Sequence, residues 1–259
     1  MTKRTWIRRS HARSAICGAK NIARHHSRVA CEGARMNAQT KRFFIGVDLG
    51  QVSDFSTIAV LERVELVGDW DPVFFAWKKH AALRLRFLER IPLGTSYPEV
   101  VRRVTVVVRQ LASEGICSLV VDATGVGRPV VDMLSRSGLP CSLRPAIITG
   151  GIAESYSNGF YHIPKKDLIA GFQVALQQEL LKIAAGMELG PALAKEMSEM
   201  RVKVTPSGHE QFGAWREGSH DDLVFAVALA CWAAAGAYPR DLGGTQDYWT
   251  VGLSHADAA

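Results

Sequence analysis

Five cysteines are present, Cys17, Cys31, Cys117, Cys141 and Cys231, and no two stand at CxxC spacing. Neither a zinc ribbon nor a disulfide framework is encoded, and reduced thiols are the expectation. No apolar run approaches the ~20 residues that span a bilayer. Charged residues interrupt the N-terminus throughout, so a signal-peptide core is missing as well. No internal repeat or low-complexity tract occurs, which sets aside solenoids and arrays. No G-x-x-x-x-G-K-[ST] run occurs either, so a P-loop nucleotide site is not encoded in these 259 residues.

What remains is 47% hydrophobic and 22% charged, the balance of an ordinary globular protein. The formal net charge of +6 suggests a nucleic-acid partner at first sight. Its distribution says otherwise. Residues 1–35 hold nine of the 31 Lys and Arg but only one of the 25 acids, Glu32, leaving 22 bases against 24 acids from residue 36 onward. The basic stretch reads either as an arm for DNA phosphates or as sequence lying upstream of a true start at Met36, and the second reading is preferred. The expected organisation is a basic extension without fixed structure over 1–41, a folded domain over 42–236 and a polar tail over 237–259.

Hydrophobic patterning predicts strands over 43–49, 57–66 and 73–78, separated by turn-rich Gly50 to Asp54 and by Asp69-Trp70-Asp71-Pro72. Connections this short favour an antiparallel meander. A helix is expected from Tyr97 or Pro98 to Ser113, followed by a strand over 117–122, a helix carrying Val130, Val131 and Leu134, and a strand over 139–148. An amphipathic helix over 165–184 shows Leu168, Phe172, Leu176 and Leu180 at i, i+4 spacing. A hairpin around Pro206-Ser207-Gly208 and a nearly all-apolar helix over 222–235 complete the pattern. A three-stranded meander followed by alternating helices and strands makes a mixed α/β sheet with helices on its faces.

Two of the apolar runs end on an acid, Asp48 and Asp122, and a third acidic pair, Asp221-Asp222, opens the last helix. A carboxylate at the end of a buried strand is costly unless a positive group compensates it. Taken singly, Asp48 can be a turn starter, and Asp122, before Ala-Thr-Gly-Val-Gly, can be an Asx turn or helix cap. Ser219 with Asp222 three residues on fits a capping box, which accounts for Asp222 and leaves Asp221 as the better ligand. His220 is read as a surface residue, Asp54 as a turn residue, and Lys165-Lys166 as a solvated helix end. Taken together, Asp48, Asp122 and Asp221, with Asp222 as capping residue or secondary ligand, form a set of hard oxygen donors suited to Mg²⁺ or Mn²⁺. Two such ions ~4 Å apart serve phosphodiester cleavage.

The ordered set Gly46-Val47-Asp48-Leu49-Gly50 with Asp54, then Val121-Asp122-Ala123-Thr124-Gly125-Val126-Gly127, then His220-Asp221-Asp222-Leu223-Val224 with Ala226, Ala228 and Ala230 resembles the nuclease domain of phage terminase large subunits. That family belongs to the RNase H-like superfamily. Pro164-Lys165-Lys166-Asp167-Leu168 resembles the start of one of the family's helices. The resemblance implies an RNase H-like mixed sheet flanked by helices and a two-metal endonuclease that cuts concatemeric viral DNA during genome packaging. It implies Asp48, Asp122 and Asp221, with Asp222, as ligands of Mg²⁺ or Mn²⁺. Double-stranded DNA is the implied substrate, with a separate packaging ATPase, small terminase or portal as partners and no membrane. The implied setting is the cytoplasm of a bacterial host carrying a phage or prophage gene. A RuvC-like resolvase is the near alternative. An actin-like or sugar-kinase-type ATPase, which also begins on a Gly-x-Asp-x-Gly turn, and a catalytically inactive DNA-binding or assembly module are the more distant ones.

Overall fold

The computed structural model describes residues 40–50, 54–125, 127–204, 210–213 and 220–236. The expected basic extension, apart from Thr40 and Lys41, lies outside the described residues, as do the expected tail over 237–259 and the capping residue Ser219.

Strand β1 (Lys41–Asp48) pairs antiparallel with β2 (Ser56–Asp71), which pairs antiparallel with β3 (Ala76–Ile91). Helix α1 (Tyr97–Ala112) then crosses to β4 (Gly115–Asp122), which lies parallel to β1. Helix α2 (Gly127–Arg136) leads to β5 (Ser142–Thr149), parallel to β4. The short β6 (Ser155–Ser157) and β7 (Phe160–Pro164) extend that edge. After α3 (Lys165–Gln177), β8 (Leu181–Ile183) returns to the opposite edge beside β3. Helix α4 (Gly190–Glu199) follows, then a separate hairpin of β9 (Arg201–Val204) and β10 (Glu210–Gly213), and finally α5 (Asp222–Gly236). The eight strands run in the order β6-β7-β5-β4-β1-β2-β3-β8. The meander, the central β1–β4 neighbourhood and the helical faces all match the sequence expectation.

Strand pleating explains how one apolar run serves two cores. In β1, Phe43, Ile45 and Val47 join Leu119 and Val121 of β4 against α1 and α2. Phe44 and Val120 point the other way, into the core built on α3, α4 and α5. Gly46 and Asp48 share the parity of Phe44, and Asp122 that of Val120, so both aspartates leave their strands on the α5 side.

Helix α5 can sit there only because Gly46 has no side chain. A Cβ at Gly46 would lie 2.0 Å from the Ala226 carbonyl oxygen and 2.8 Å from the Ala230 nitrogen. Small residues on the helix and a glycine on the strand thus permit backbone-to-backbone packing of an element that is buried nearly all round.

Several elements differ from the sequence reading, among them β2, which runs to Asp71 and not to residue 66. β3 runs to Ile91 rather than Lys78, because charged residues on its outward face hide a continuous strand whose buried positions include Ala82, Leu83 and Leu85. α3 stops at Gln177, with Glu179 at φ 55° turning the chain into β8; the i, i+4 pattern runs past the helix because its last member, half-buried Leu180, stands just before β8. Helix α4 was not anticipated, since only Leu193 and Glu196 are fully buried.

Candidate active site

The register places four polar residues in a row at one end of the sheet. Val47 of β1 pairs with Val121 of β4, so Asp48 and Asp122 end adjacent parallel strands. Asp48 pairs across to Thr57 of β2, and Thr57 to Arg90 of β3. The row therefore reads Asp122, Asp48, Thr57, Arg90, and the start of α5 delivers Asp221 and Asp222 on the same side.

Asp222 is buried and committed to the protein. One oxygen accepts from Thr57 Oγ1 at 2.5 Å and Arg90 Nε at 2.8 Å, and the other from Arg90 Nη2 at 3.0 Å. The forked guanidinium thus holds this carboxylate bidentately. Arg90 also bonds Glu196 of α4. Glu196 Oε2 accepts from the Leu223 and Val224 backbone N–H groups at 3.0 and 3.2 Å, so α5 is capped by a carboxylate from another helix. Burial, reinforced by the charge of Asp222, pushes Glu196 up to about 7 despite Arg90 and those two amides. Phe55 completes the packing: Arg90 stacks 5.1 Å from its ring centroid, and His220 meets it edge-on at 5.2 Å.

The remaining acids are not neutralised in this way. Burial raises the Asp48 carboxyl well above its ordinary range, and Asp122, Asp221 and Asp222 add to the rise; only Lys165 opposes it. Burial also raises Asp122, offset by hydrogen bonds from the Thr124 amide (2.8 Å) and hydroxyl (2.5 Å) and by Lys165. Thr124 is itself fixed, because its Oγ1 accepts from the Ile148 amide at 2.9 Å. Lys165 Nζ lies 3.8 Å from Asp221 Oδ2 and 4.3 Å from the Phe225 ring centroid. Among the described residues it is the only cation that lowers Asp48.

This arrangement bears on each sequence expectation. Asp122 and Asp221 each act electrostatically on Asp48. Asp222 instead serves as anchor for Arg90 and Thr57, so its oxygens are already in use. His220 stays about one-third exposed while meeting Phe55, and Lys165, likewise about one-third exposed, lies beside Asp221. Asp54 is exposed in the turn. Arg90, Glu196 and Thr57 were missed. Thr57 and Arg90 follow from the meander register once β3 is extended; Glu196 carries no local signal.

Uncompensated carboxylate oxygens around Asp48 fit a hard divalent cation by donor type and by charge. Among the described residues no three His, Cys, Asp or Glu side chains are gathered into a preformed cage.

No protein-family profile matches the chain, and no curated protein matches it in sequence. Among solved structures it is similar to the large terminase nuclease of thermophilic phage G20c with bound magnesium, at 22% identity and TM-score 0.50 over 74% of this chain and 81% of that one. The chain has the RNase H-like nuclease fold. Looser likenesses extend to the Thermus phage P74-26 large terminase nuclease domain (20% identity, TM-score 0.48, 73% of this chain and 78% of that one). They also include the g2p large terminase nuclease domain of bacteriophage SPP1 with bound Mn (11%, 0.43, 76% and 89%). Among the described residues no helix is long and apolar enough to cross a membrane.

The Arg90 network gives a stability prediction. Arg90→Met leaves Asp222 buried with two of its three hydrogen bonds gone, which should cost about 2 kcal/mol. Urea unfolding should show a lowered midpoint with an unchanged slope; an unaltered midpoint would mean that solvent already satisfies Asp222.

Proposed function

We propose that this chain is a divalent-metal-dependent endonuclease acting on double-stranded DNA, of the kind that trims concatemeric phage DNA during genome packaging. The observation that carries the reading is the adjacency of Asp48 and Asp122 at the ends of parallel β1 and β4, faced by Asp221 from the start of α5. The shared fold with a phage terminase nuclease supports the substrate class. Asp48, the most central acid, would hold the metal together with Asp122 and Asp221. Asp222 positions rather than ligates, since Thr57 and Arg90 hold it.

When bound, two Mg²⁺ or Mn²⁺ ions supply Lewis acidity to an attacking water and to the leaving oxygen of the phosphodiester. The protein's own contribution is orientation. Thr124 fixes the Asp122 rotamer, and Glu196 and Arg90 fix the first turn of α5 and with it Asp221. Lys165 balances part of the negative charge that the centre holds without metal, and its ammonium is available to a phosphate oxygen when DNA approaches. A separate packaging ATPase, small terminase or portal is the proposed source of delivered DNA, because the body of the chain carries no surplus of positive charge. The proposed setting is a bacterial host cell.

Metal binding tests the site apart from catalysis. Calorimetric titration of the full chain with Mn²⁺ should show binding that releases protons, stronger at pH 8 than at pH 6 because Asp48 must ionise. Asp48→Asn and Asp122→Asn should each weaken it. Absence of Mn²⁺ binding at both pH values would contradict the proposal.

A further inference from the structure

The place of Lys165 is set by the fold. β7 ends on Pro164, which pairs with Thr149 of β5, and Lys165 is the first residue of α3. Its backbone is therefore tied to the sheet. Its Nζ lies 3.8 Å from Asp221 Oδ2 and 4.3 Å from the Phe225 ring centroid. Asp221 and Phe225 stand one turn apart on the same side of the chain, where the Phe225 amide donates to the Asp221 carbonyl at 3.0 Å. A carboxylate and an aromatic face thus hold one ammonium between them.

This single charge serves three acids. Besides lying beside Asp221, it acts on both Asp48 and Asp122. Arg90 takes no share in that task, because Asp222 and Glu196 engage its guanidinium. The contact with Asp221 is also one that can be given up. At 3.8 Å it is longer than a hydrogen bond, so it holds by charge and not by direction. Both side chains stay about one-third exposed, so the pair is not sealed in the core.

Two ligands of opposite charge would meet this ammonium. A divalent cation entering the acidic cluster is repelled by it at short range, in a partly buried site where such repulsion is strong. A DNA phosphate attracts it and offers a charge-assisted hydrogen bond in place of the longer contact with Asp221.

We propose that Lys165 couples metal binding to DNA binding: in the free protein its ammonium weakens the affinity of the acidic centre for a divalent cation, and a DNA phosphate that engages the ammonium lifts this penalty. The inference rests on the metal centre proposed above and adds a control on its loading. Calorimetric titration of the full chain with Mn²⁺, without DNA, tests it. Lys165→Met should bind roughly fivefold tighter than the wild type, at the lower end of what one nearby charge contributes, and Lys165→Arg should bind as the wild type does. Loss of a merely structural support would weaken the site, so tighter binding separates the two roles. Coupling is reciprocal, and anisotropy reads it a second time. Mn²⁺ should raise the affinity for a labelled phosphorothioate duplex, which resists cleavage, by a larger factor in the wild type than in Lys165→Met. Equal or weaker Mn²⁺ binding by Lys165→Met, or the same factor in both proteins, would overturn the coupling. If wild-type Mn²⁺ binding is nonetheless lost in Asp48→Asn, the metal centre stands and the coupling alone fails. A wild type that binds no Mn²⁺ would remove the centre and the coupling together.

Discussion

Asp48→Asn is expected to lower metal-dependent DNA cleavage about 1,000-fold, the scale on which a principal charge-stabilising group acts, and to raise the thermal midpoint of the protein in EDTA. The two effects share one cause. Burial and three neighbouring carboxylates raise the Asp48 carboxyl well above its ordinary range, so the folded state holds this proton more tightly than the unfolded chain does. Stability from that proton is fully present below the ordinary carboxylate range and is lost as pH rises through the raised value. Ionising this carboxyl is therefore a liability that the metal is expected to relieve. Asparagine removes the liability and the ligand together, a stability–activity trade-off of a familiar kind. The gain in midpoint should be near zero at pH 4 and grow toward pH 7. A variant that loses activity yet melts lower than the wild type at pH 7 would indicate a packing role for Asp48 instead.

Gly46→Val should destabilise the fold by more than about 3 kcal/mol, beyond the usual range for overpacking. The added Cβ would meet backbone, not a flexible side chain: Ala226 O at 2.0 Å and Ala230 N at 2.8 Å. Relief requires α5 to move off β1, and that movement also withdraws Asp221 from Asp48. Gly46→Ala should behave likewise with a smaller loss. Denaturant unfolding measures the loss; a variant within 1 kcal/mol of the wild type would mean that α5 does not rest on β1 as closely as described.

Much of this was legible in the sequence because buried elements announce themselves. The apolar runs ending at Asp48 and Asp122 are central strands, covered on both faces, so their hydrophobicity is continuous. α5 is nearly all apolar because sheet and helices enclose it. β3 was shortened because its exposed Arg84 and Arg86 alternate with buried Leu83 and Leu85, a period easily read as a polar loop after Lys78-Lys79-His80. α4 was missed because a helix contacting the core through so few positions leaves little periodic signal. The acids stand out by type and place, since three carboxylates at element ends are costly without a cation. Their supports were not. Arg90 reaches Asp222 across 132 residues and Glu196 caps α5 across 27, and no local pattern encodes partners that only the fold brings together. The helix-cap reading of Asp222 was sound in one respect: α5 does begin on a carboxylate network, but the cap comes from α4.

The central claim is that the Asp48, Asp122 and Asp221 centre hydrolyses DNA with divalent metal. Supercoiled plasmid incubated with the full chain in Mg²⁺, Mn²⁺ or EDTA, beside Asp48→Asn, tests it most directly. The account predicts relaxed and linear products with Mg²⁺ or Mn²⁺, none with EDTA, and none with the variant. Cleavage that persists in EDTA, or at full rate in the folded variant, would contradict it.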